Sequence, residues 1–398
     1  MSAKVGLASL VLALVVGGSS ASEASRHAPE WIGSWQAAPA SAQAGTDTGH
    51  PNKTIRNVVH TSIGGEAARV RLSNAFGTAP VLMGHVTVAL STGDAGIVPL
   101  TMREVTFGGV PSVTIPPGAE VVSDAVTLTV PPDADLAVTV YTPSESGPAT
   151  YHPQAYRSNY FATGDHASDG TGTPFAAATT SFHYVSGVEV RSSQARGAVV
   201  AFGDSITDGA WSTRGANLRW PDQLFDRLMK RPAALRSGVL NAGISANRLA
   251  SQGTSATAGP NGLARLDRDA LTRAGVRTIV LMEGINDIQN SVPAAQLIMA
   301  LRQVVERSHA AGVRVVAGTI APWKGWRTYT PERESIRLEV NSFIRTAGIF
   351  DGVADFDSAL RDPSDPEVLR PSFDSGDHLH PNDAGYRAMA EAVDLRRL

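Results

Sequence analysis

Apolar residues recur with period two from Trp31 to about Val190. Ala68, Val70 and Leu72 alternate with Arg69 and Arg71, and Val86, Val88 and Leu90 alternate with Thr87 and Ala89. Threonines separate Val126, Leu128 and Val130, and Leu136, Val138 and Val140 repeat the device. Successive side chains of a strand point to opposite faces, so this alternation predicts strands buried on one face. Pro116-Pro117-Gly118 and Pro131-Pro132-Asp133 supply turns between them. No strong helical stretch interrupts the series. Residues 30–192 are predicted to form an antiparallel β-sandwich.

After about Arg196 the period changes. Ala198–Phe202 is a continuous apolar run, as in a strand buried on both faces. A helix is predicted within 216–230, with Trp220, Leu224 and Leu228 on one face, then a short strand at Val239-Leu240. Leu263, Leu266, Ala270 and Leu271 mark another helix, and Thr278–Met282 another strand. Leu297, Ile298, Leu301, Val304 and Val305 fall on one face of a long amphipathic helix. A strand at Val313–Ala317, a helical face of Ile336, Val340, Phe343 and Ile344, a fifth strand at Val353–Phe356 and a helix at Asp383–Val393 complete the series. Strand and helix in alternation predict an α/β domain over residues 196–398, a parallel sheet covered on both faces.

Composition narrows the function. The chain has 398 residues, 42% of them apolar, with net charge −3 and no basic stripe, so nucleic acid is not an expected partner. It has no cysteine, which rules out disulfides and thiolate metal sites. Lys4, the apolar block Val5–Val16 and the small residues of "GGSSASEAS" read as a signal peptide over residues 1–24, with cleavage points after Ala21 or Ala24. The block is too short to span a bilayer, which takes about 20 apolar residues. The expectation is a secreted protein, extracellular or periplasmic, without membrane insertion.

Function in an open parallel sheet sits beyond the carboxyl ends of the strands. The first predicted strand ends in Gly203-Asp204-Ser205, where the serine is either a helix cap or a nucleophile. The second ends in Asn241-Ala242-Gly243 and the third runs into Gly284-Ile285-Asn286-Asp287, while the C-terminal region carries Asp377-His378-Leu379-His380-Pro381. A serine nucleophile needs a base, the base needs an acceptor on its other nitrogen, and a developing oxyanion needs donors. Ser205, His380, Asp377 and donors at Gly243 and Asn286 fill these roles without a metal or cofactor.

These residues resemble the GDSL/SGNH hydrolases, whose four blocks match Gly203-Asp204-Ser205, Gly243, Gly284-Ile285-Asn286-Asp287 and Asp377-x-x-His380. The longer strings "GDSITDG", "NAGIS", "RWPD" and "HLHPNDAGY" resemble bacterial acylhydrolases of this family found near xylan-degrading enzymes. Those proteins also carry an N-terminal β domain, which "WIGSWQAAP", "SNAFGTAP" and "PPGAEVVSD" resemble. The resemblance implies a flavodoxin-like sheet, Ser205 as nucleophile, His380 as base and Asp377 as its orienting acid. It implies an oxyanion hole from the Ser205 N–H, the Gly243 N–H and the Asn286 side chain. One departure is Ala246, where related sequences often carry a second glycine before Asn247.

Rival assignments follow from the same strings. His378 can replace His380 as base, and Asp374 can replace Asp377. Asp204 either holds its loop through local hydrogen bonds or is solvated, and Asp287 is a candidate brace for the loop presenting Asn286. Trp323, Trp326 and Tyr329 follow the fourth strand. Trp323 and Trp326, with Trp211 and His378, are candidates to line a substrate cleft, against ordinary loop packing. The leading expectation is a serine esterase for short acyl esters, either small molecules or acetylated polysaccharide. A lipase or phospholipase of longer chains is the alternative within enzymes. A glycan-binding protein with an inactive hydrolase domain is the alternative from another class.

Overall fold

The structure, a computed structural model, describes Met1 and residues 30–398; apart from Met1, the expected leader over residues 1–24 lies outside the described residues. Beside a three-stranded sheet of Phe182–His183, Thr150–His152 and Ser41–Ala42 and a two-stranded one of Val81–Met83 and Val113–Ile115, two large antiparallel sheets build most of the first half. One orders the strands Glu30–Gln36, Val185–Ser192, Gly65–Ser73 and Val126–Val130, with Glu120–Val122 also paired to the third. The other runs Ala177–Thr179, Asn159–Thr163, Lys53–Thr61, Ala134–Thr142, His85–Leu90, Arg103–Glu104. Register aligns the apolar faces, with Leu136 opposite Val59 and Val140 opposite Ile55. Val70, Leu72, Val188 and Val190 from the first sheet share a core with Ile55, Val59, Leu136 and Val138 from the second.

Val126–Val130 alternates buried and exposed positions as its sequence predicts. The strand Lys53–Thr61 does not, being buried on both faces along most of its length. A loop layer roofs its outer face. The Arg56 guanidinium reaches the carbonyls of Ala95 and Asp169, lies 4.0 Å over the Phe175 ring, and takes its remaining partner from Thr139.

Antiparallel pairing gives way to parallel pairing between Ser192 and Ala198. The strands β1 (Ala198–Gly203), β2 (Gly238–Gly243), β3 (Val276–Met282), β4 (Arg314–Gly318) and β5 (Gly352–Ala354) form one parallel sheet in the order β2-β1-β3-β4-β5. This is the flavodoxin-like order, with its topological switch beside β1. Every residue of β1 is buried, as a strand covered on both faces requires. The helices are α1 (Ser205–Asp208), α2 (Trp220–Met229), α3 (Gly262–Leu266), α4 (Ile285–Gln289), α5 (Ala294–Ala310), α6 (Pro331–Thr346), α7 (Phe356–Leu360) and α8 (Asp383–Ala392). Helix α8 packs with α2 and α7, and α5 with α3 and α6. Among the described residues no helix is long and apolar enough to cross a membrane.

The sandwich is seated on the edge strand β2. Ala37 bridges Asn241 in parallel, the Ser62 hydroxyl accepts from Val239 N at 3.0 Å, and Gln36 Nε2 donates to the Asp269 carbonyl at 2.8 Å. A Cβ at Gly238 would stand 2.2 Å from the Gly33 carbonyl oxygen, so glycine is required for this approach.

Candidate active site

Strand β1 ends at Gly203, and the chain turns at once into the short helix α1. Asp204 is its N-cap, accepting from Ile206 N at 3.0 Å, so Ser205 is free of the capping role. The Asp204 carboxyl is fully buried, and burial pushes its pKa up to about 6 against the opposing pull of the Ile206 N–H. Ser205 Oγ lies 2.8 Å from His380 Nε2. His380 Nδ1 lies 2.7 Å from Asp377 Oδ2, while Asp377 Oδ1 accepts from the backbone N–H groups of Leu379 and His380 at 2.9 and 2.8 Å. Burial works to raise the Asp377 carboxyl, but hydrogen bonds from the His380 ring and backbone outweigh it and hold the group well below the usual carboxylate range. An ionised Asp377 can only accept, so Nδ1 carries the ring proton and Nε2 is left to accept from the serine.

The rival pair is also formed. His378 Nδ1 lies 2.7 Å from Asp374 Oδ2, its backbone sits at φ 66°, and its side chain is half exposed. Asp374 thus holds His378, not His380. The His378 ring lies against Gly325, where a Cβ would meet it at 2.8 Å.

Strands β2 and β3 supply the facing loops. A Cβ at Gly243 would lie 2.1 Å from the Asp208 backbone nitrogen, so the end of β2 can approach α1 this closely only as glycine. The Gly243 N–H donates to Asn241 Oδ1 at 2.8 Å. Its expected role toward an oxyanion therefore meets a competing acceptor. Among the described residues the Ser205 N–H donates to no protein acceptor. Asn286, in the first turn of α4, gives one amide hydrogen to the Asn247 carbonyl at 2.9 Å, and its Oδ1 accepts from Gln289 Nε2 at 3.3 Å. The second amide hydrogen is left for a ligand. Asp287 braces the opposite loop, accepting from Leu249 N, Ala250 N and Ser251 Oγ.

The aromatic candidates separate. Trp326 stands edge-on to the His380 ring, centroids 6.0 Å apart, with its Nε1 on Gln289 Oε1 at 2.8 Å. Trp211 follows α1 with φ 66° and an exposed ring. Trp323 departs from the expectation of a cleft position. Its indole is fully buried, donates to Glu334 Oε2 at 3.2 Å and packs edge-on to Tyr329. It belongs to the core.

Two supporting residues carry no motif. The buried Arg265 guanidinium donates to the carbonyls of Gly203 and Ala242 and to Asn247 Oδ1, tying together the ends of β1 and β2 and the loop that Asn286 contacts. Its neighbour Glu283 is buried, and burial raises its carboxyl well above the ordinary range despite the arginine. Gln289 joins Asn286 to Trp326; its spacing of three from Asn286 on a helix was the available signal. Among the described residues no cluster of His, Asp and Glu is arranged to hold a metal ion.

Residues 201–388 match the GDSL-like lipase/acylhydrolase family. Solved structures similar to this chain include a member of the lipolytic protein G-D-S-L family from Veillonella parvula (20% identity, covering 49% of this chain and 94% of that one, TM-score 0.38). They also include a carbohydrate acetylesterase family member from Sinorhizobium meliloti (19% identity, 49% and 94%, TM-score 0.40) and an acetyl xylan esterase (20% identity, 49% and 96%, TM-score 0.38). No curated protein matches the chain. Residues 201–388 form a GDSL-like lipase/acylhydrolase domain, and the protein is a carboxylic ester hydrolase.

Proposed function

We propose that the protein is an exported serine esterase that removes short acyl groups, acetyl above all, from a hydroxyl-rich alcohol such as a plant polysaccharide. The observation that carries the mechanism is the unbroken chain from Ser205 Oγ through the His380 ring to Asp377. As Oγ attacks the ester carbonyl, its proton passes to His380 Nε2 while Nδ1–H stays on Asp377. The oxyanion is met by the Ser205 N–H and the free Asn286 amide hydrogen; Gly243 joins when its N–H leaves Asn241. The Nε2 proton then leaves with the alcohol. Water, deprotonated by the same nitrogen, releases the acid from Ser205.

The substrate class is supported by the lining of the cleft. A groove of about 260 Å³ beside Asn286 is walled mainly by polar side chains, Arg248, Thr254, Ser255, Gln289, Asn290 and Thr328 among them, which suits hydroxyl groups better than a long acyl chain. A larger cavity of about 400 Å³ lies along Gly64–Glu66, Pro131-Pro132 and Arg191–Gln194 and is lined by none of the site residues.

The test is a series of 4-nitrophenyl esters from two to sixteen carbons, run beside acetylated xylan. The reading requires kcat/KM to fall steeply with chain length and acetate to be released from the polymer. A maximum at eight carbons or beyond would make the protein a lipase. The nucleophile is tested by Ser205→Ala, which is expected to lower kcat about 10⁶-fold. A folded Ser205→Ala protein with a tenth of the activity would end the assignment.

A further inference from the structure

His152, on the strand Thr150–His152 of a small three-stranded sheet in the N-terminal half, reaches the catalytic domain and touches Asp208, the last residue of α1. Both of its ring nitrogens face oxygens that can only accept. Nδ1 is 2.9 Å from the Ala38 carbonyl, and Nε2 is 3.2 Å from both Asp208 Oδ1 and the Gln154 carbonyl. A neutral imidazole has one N–H and would set a lone pair against one of these oxygens; an imidazolium satisfies both sides. The two side chains are nearly inaccessible, at 6% and 3% exposure, so the cation is paired with the Asp208 carboxylate away from water.

Asp208 passes the contact on. Its Oδ2 accepts from Ser245 N at 3.0 Å and from Ser245 Oγ at 2.7 Å. Ser245 lies two residues beyond Gly243, and Asp208 three residues beyond Ser205. One carboxylate therefore links the nucleophile turn, the loop after β2 and the N-terminal half. We infer that His152, held as an imidazolium, is a positioning residue of the esterase: through Asp208 it sets Ser205 and the Gly243 loop in register, and the N-terminal half is thereby part of the catalytic centre.

The inference rests on the reading of Ser205 as nucleophile. Burial acts to lower the His152 pKa, but the Asp208 charge and the hydrogen bonds to Asp208, Ala38 and Gln154 raise it above the ordinary value, near ~6.5. The other ionisable groups sensing Asp208 are Arg219, Tyr156 and Tyr386. Arg219 is held charged, with its pKa raised against burial by Asp222 and Asp208, and burial raises both tyrosines, so none of the three changes charge between pH 7 and about 9. The ring proton lost on the alkaline side comes from Nδ1, because the Asp208 carboxylate holds the one on Nε2; a lone pair then faces the Ala38 carbonyl, the ring shifts on its seat, α1 loosens through Asp208 and kcat falls.

The experiment uses the full chain, with kcat and KM for 4-nitrophenyl acetate measured across pH 6–10 after subtraction of the uncatalysed rate. His152→Gln keeps a donor toward Asp208 but cannot titrate; it is expected to stay within about threefold of the wild-type kcat at pH 7 and to lose the alkaline fall. His152→Ala is expected to lower kcat about ten- to a hundredfold with KM within about twofold, as for a misplaced reacting group. The same alkaline fall in His152→Gln, or full kcat in folded His152→Ala, overturns the inference. In the wild-type protein, imidazole ¹⁵N shifts at pH 7 should show both nitrogens of His152 protonated, and a single neutral tautomer would overturn it without any variant. Ser205→Ala assayed in parallel separates the two ideas, because residual activity there refutes the nucleophile whatever His152 does.

Discussion

Adjacent residues 204 and 205 divide two jobs that a short polar side chain at a strand end can perform. Asp204 caps α1 and Ser205 faces His380, so their variants should separate stability from rate. Asp204→Ala is predicted to cost about 0.5–2 kcal/mol of stability, as for other lost caps. Asp204→Asn keeps the cap and removes a buried anion. Because the native carboxyl has a raised pKa, the folded state binds more protons than the unfolded chain between the two pKa values, and stability falls as pH rises through that window. Asp204→Asn should therefore raise the Tm at pH 8 and raise it much less at pH 4. An equal change at both pH values would mean that the buried charge is compensated. Ala246 is a second residue-scale case. It sits at φ 64°, a region costing a β-carbon about 1–2 kcal/mol, which is the physical reason for the glycine that related sequences often carry there. Ala246→Gly should leave the Tm unchanged or raise it, since the strain it relieves outweighs the about 0.4–1 kcal/mol that a more flexible unfolded chain costs. A clear fall in Tm would show that the Ala246 methyl does more than strain the loop.

At the level of elements, the segment Asp374–Pro381 carries two acid–histidine pairs side by side, and only one of them meets the serine. His380→Ala is predicted to cost nearly as much in kcat as Ser205→Ala, and Asp377→Asn less, because the base remains but loses its orientation. His378→Ala should spare most of kcat and shift preference among alcohols. Turnover of one activated ester by the three variants decides, and a dead His378→Ala beside an active His380→Ala reverses the assignment. On α4, Asn286→Ala is predicted to lower kcat about 10²- to 10³-fold at nearly constant KM, the usual effect of losing one oxyanion donor. Much of this was legible beforehand. The long helices α5 and α6 and the five parallel strands follow from apolar periodicity, and the site loops follow from their place at strand ends. The short helices α1 and α4 did not, because a helix of one turn has no periodicity to read. Depth within a loop was also hidden: Trp323 and Trp326 are three residues apart after the same strand, yet one is core and the other stands beside His380. Arg265 and His152 were invisible because their partners lie at distant positions in the chain, and nothing local marks a side chain that will be buried against them.

Across the whole molecule, the two halves share a single apolar core. Ile32, Ala37 and Ala38 from the first strand and its exit, with Ile63, join Leu240, Ala242 and Ile244 of the catalytic domain in one continuous cluster. The seam also carries hydrogen bonds from Gln36 and His152, one accepted by Ser62 from Val239, and an ion pair between Glu120 and Arg273 at 3.3 Å. Separating the halves would expose the apolar seam and strand buried polar groups, each costing about 1–3 kcal/mol. The halves should therefore unfold together. Calorimetry of the full chain is predicted to give one transition. Gly238→Ala, whose methyl would stand 2.2 Å from the Gly33 carbonyl, tests the coupling at its tightest point. The clash falls on backbone, so no side chain can rotate away, and the sandwich must shift off β2 or the sheet must distort. The variant should lose several kcal/mol, within the range of the larger single-site effects, and should lower the Tm of the whole transition. Two transitions in the wild type, or a Gly238→Ala profile in which one half melts early and the other keeps its Tm, would show that the sandwich and the catalytic domain fold as independent units.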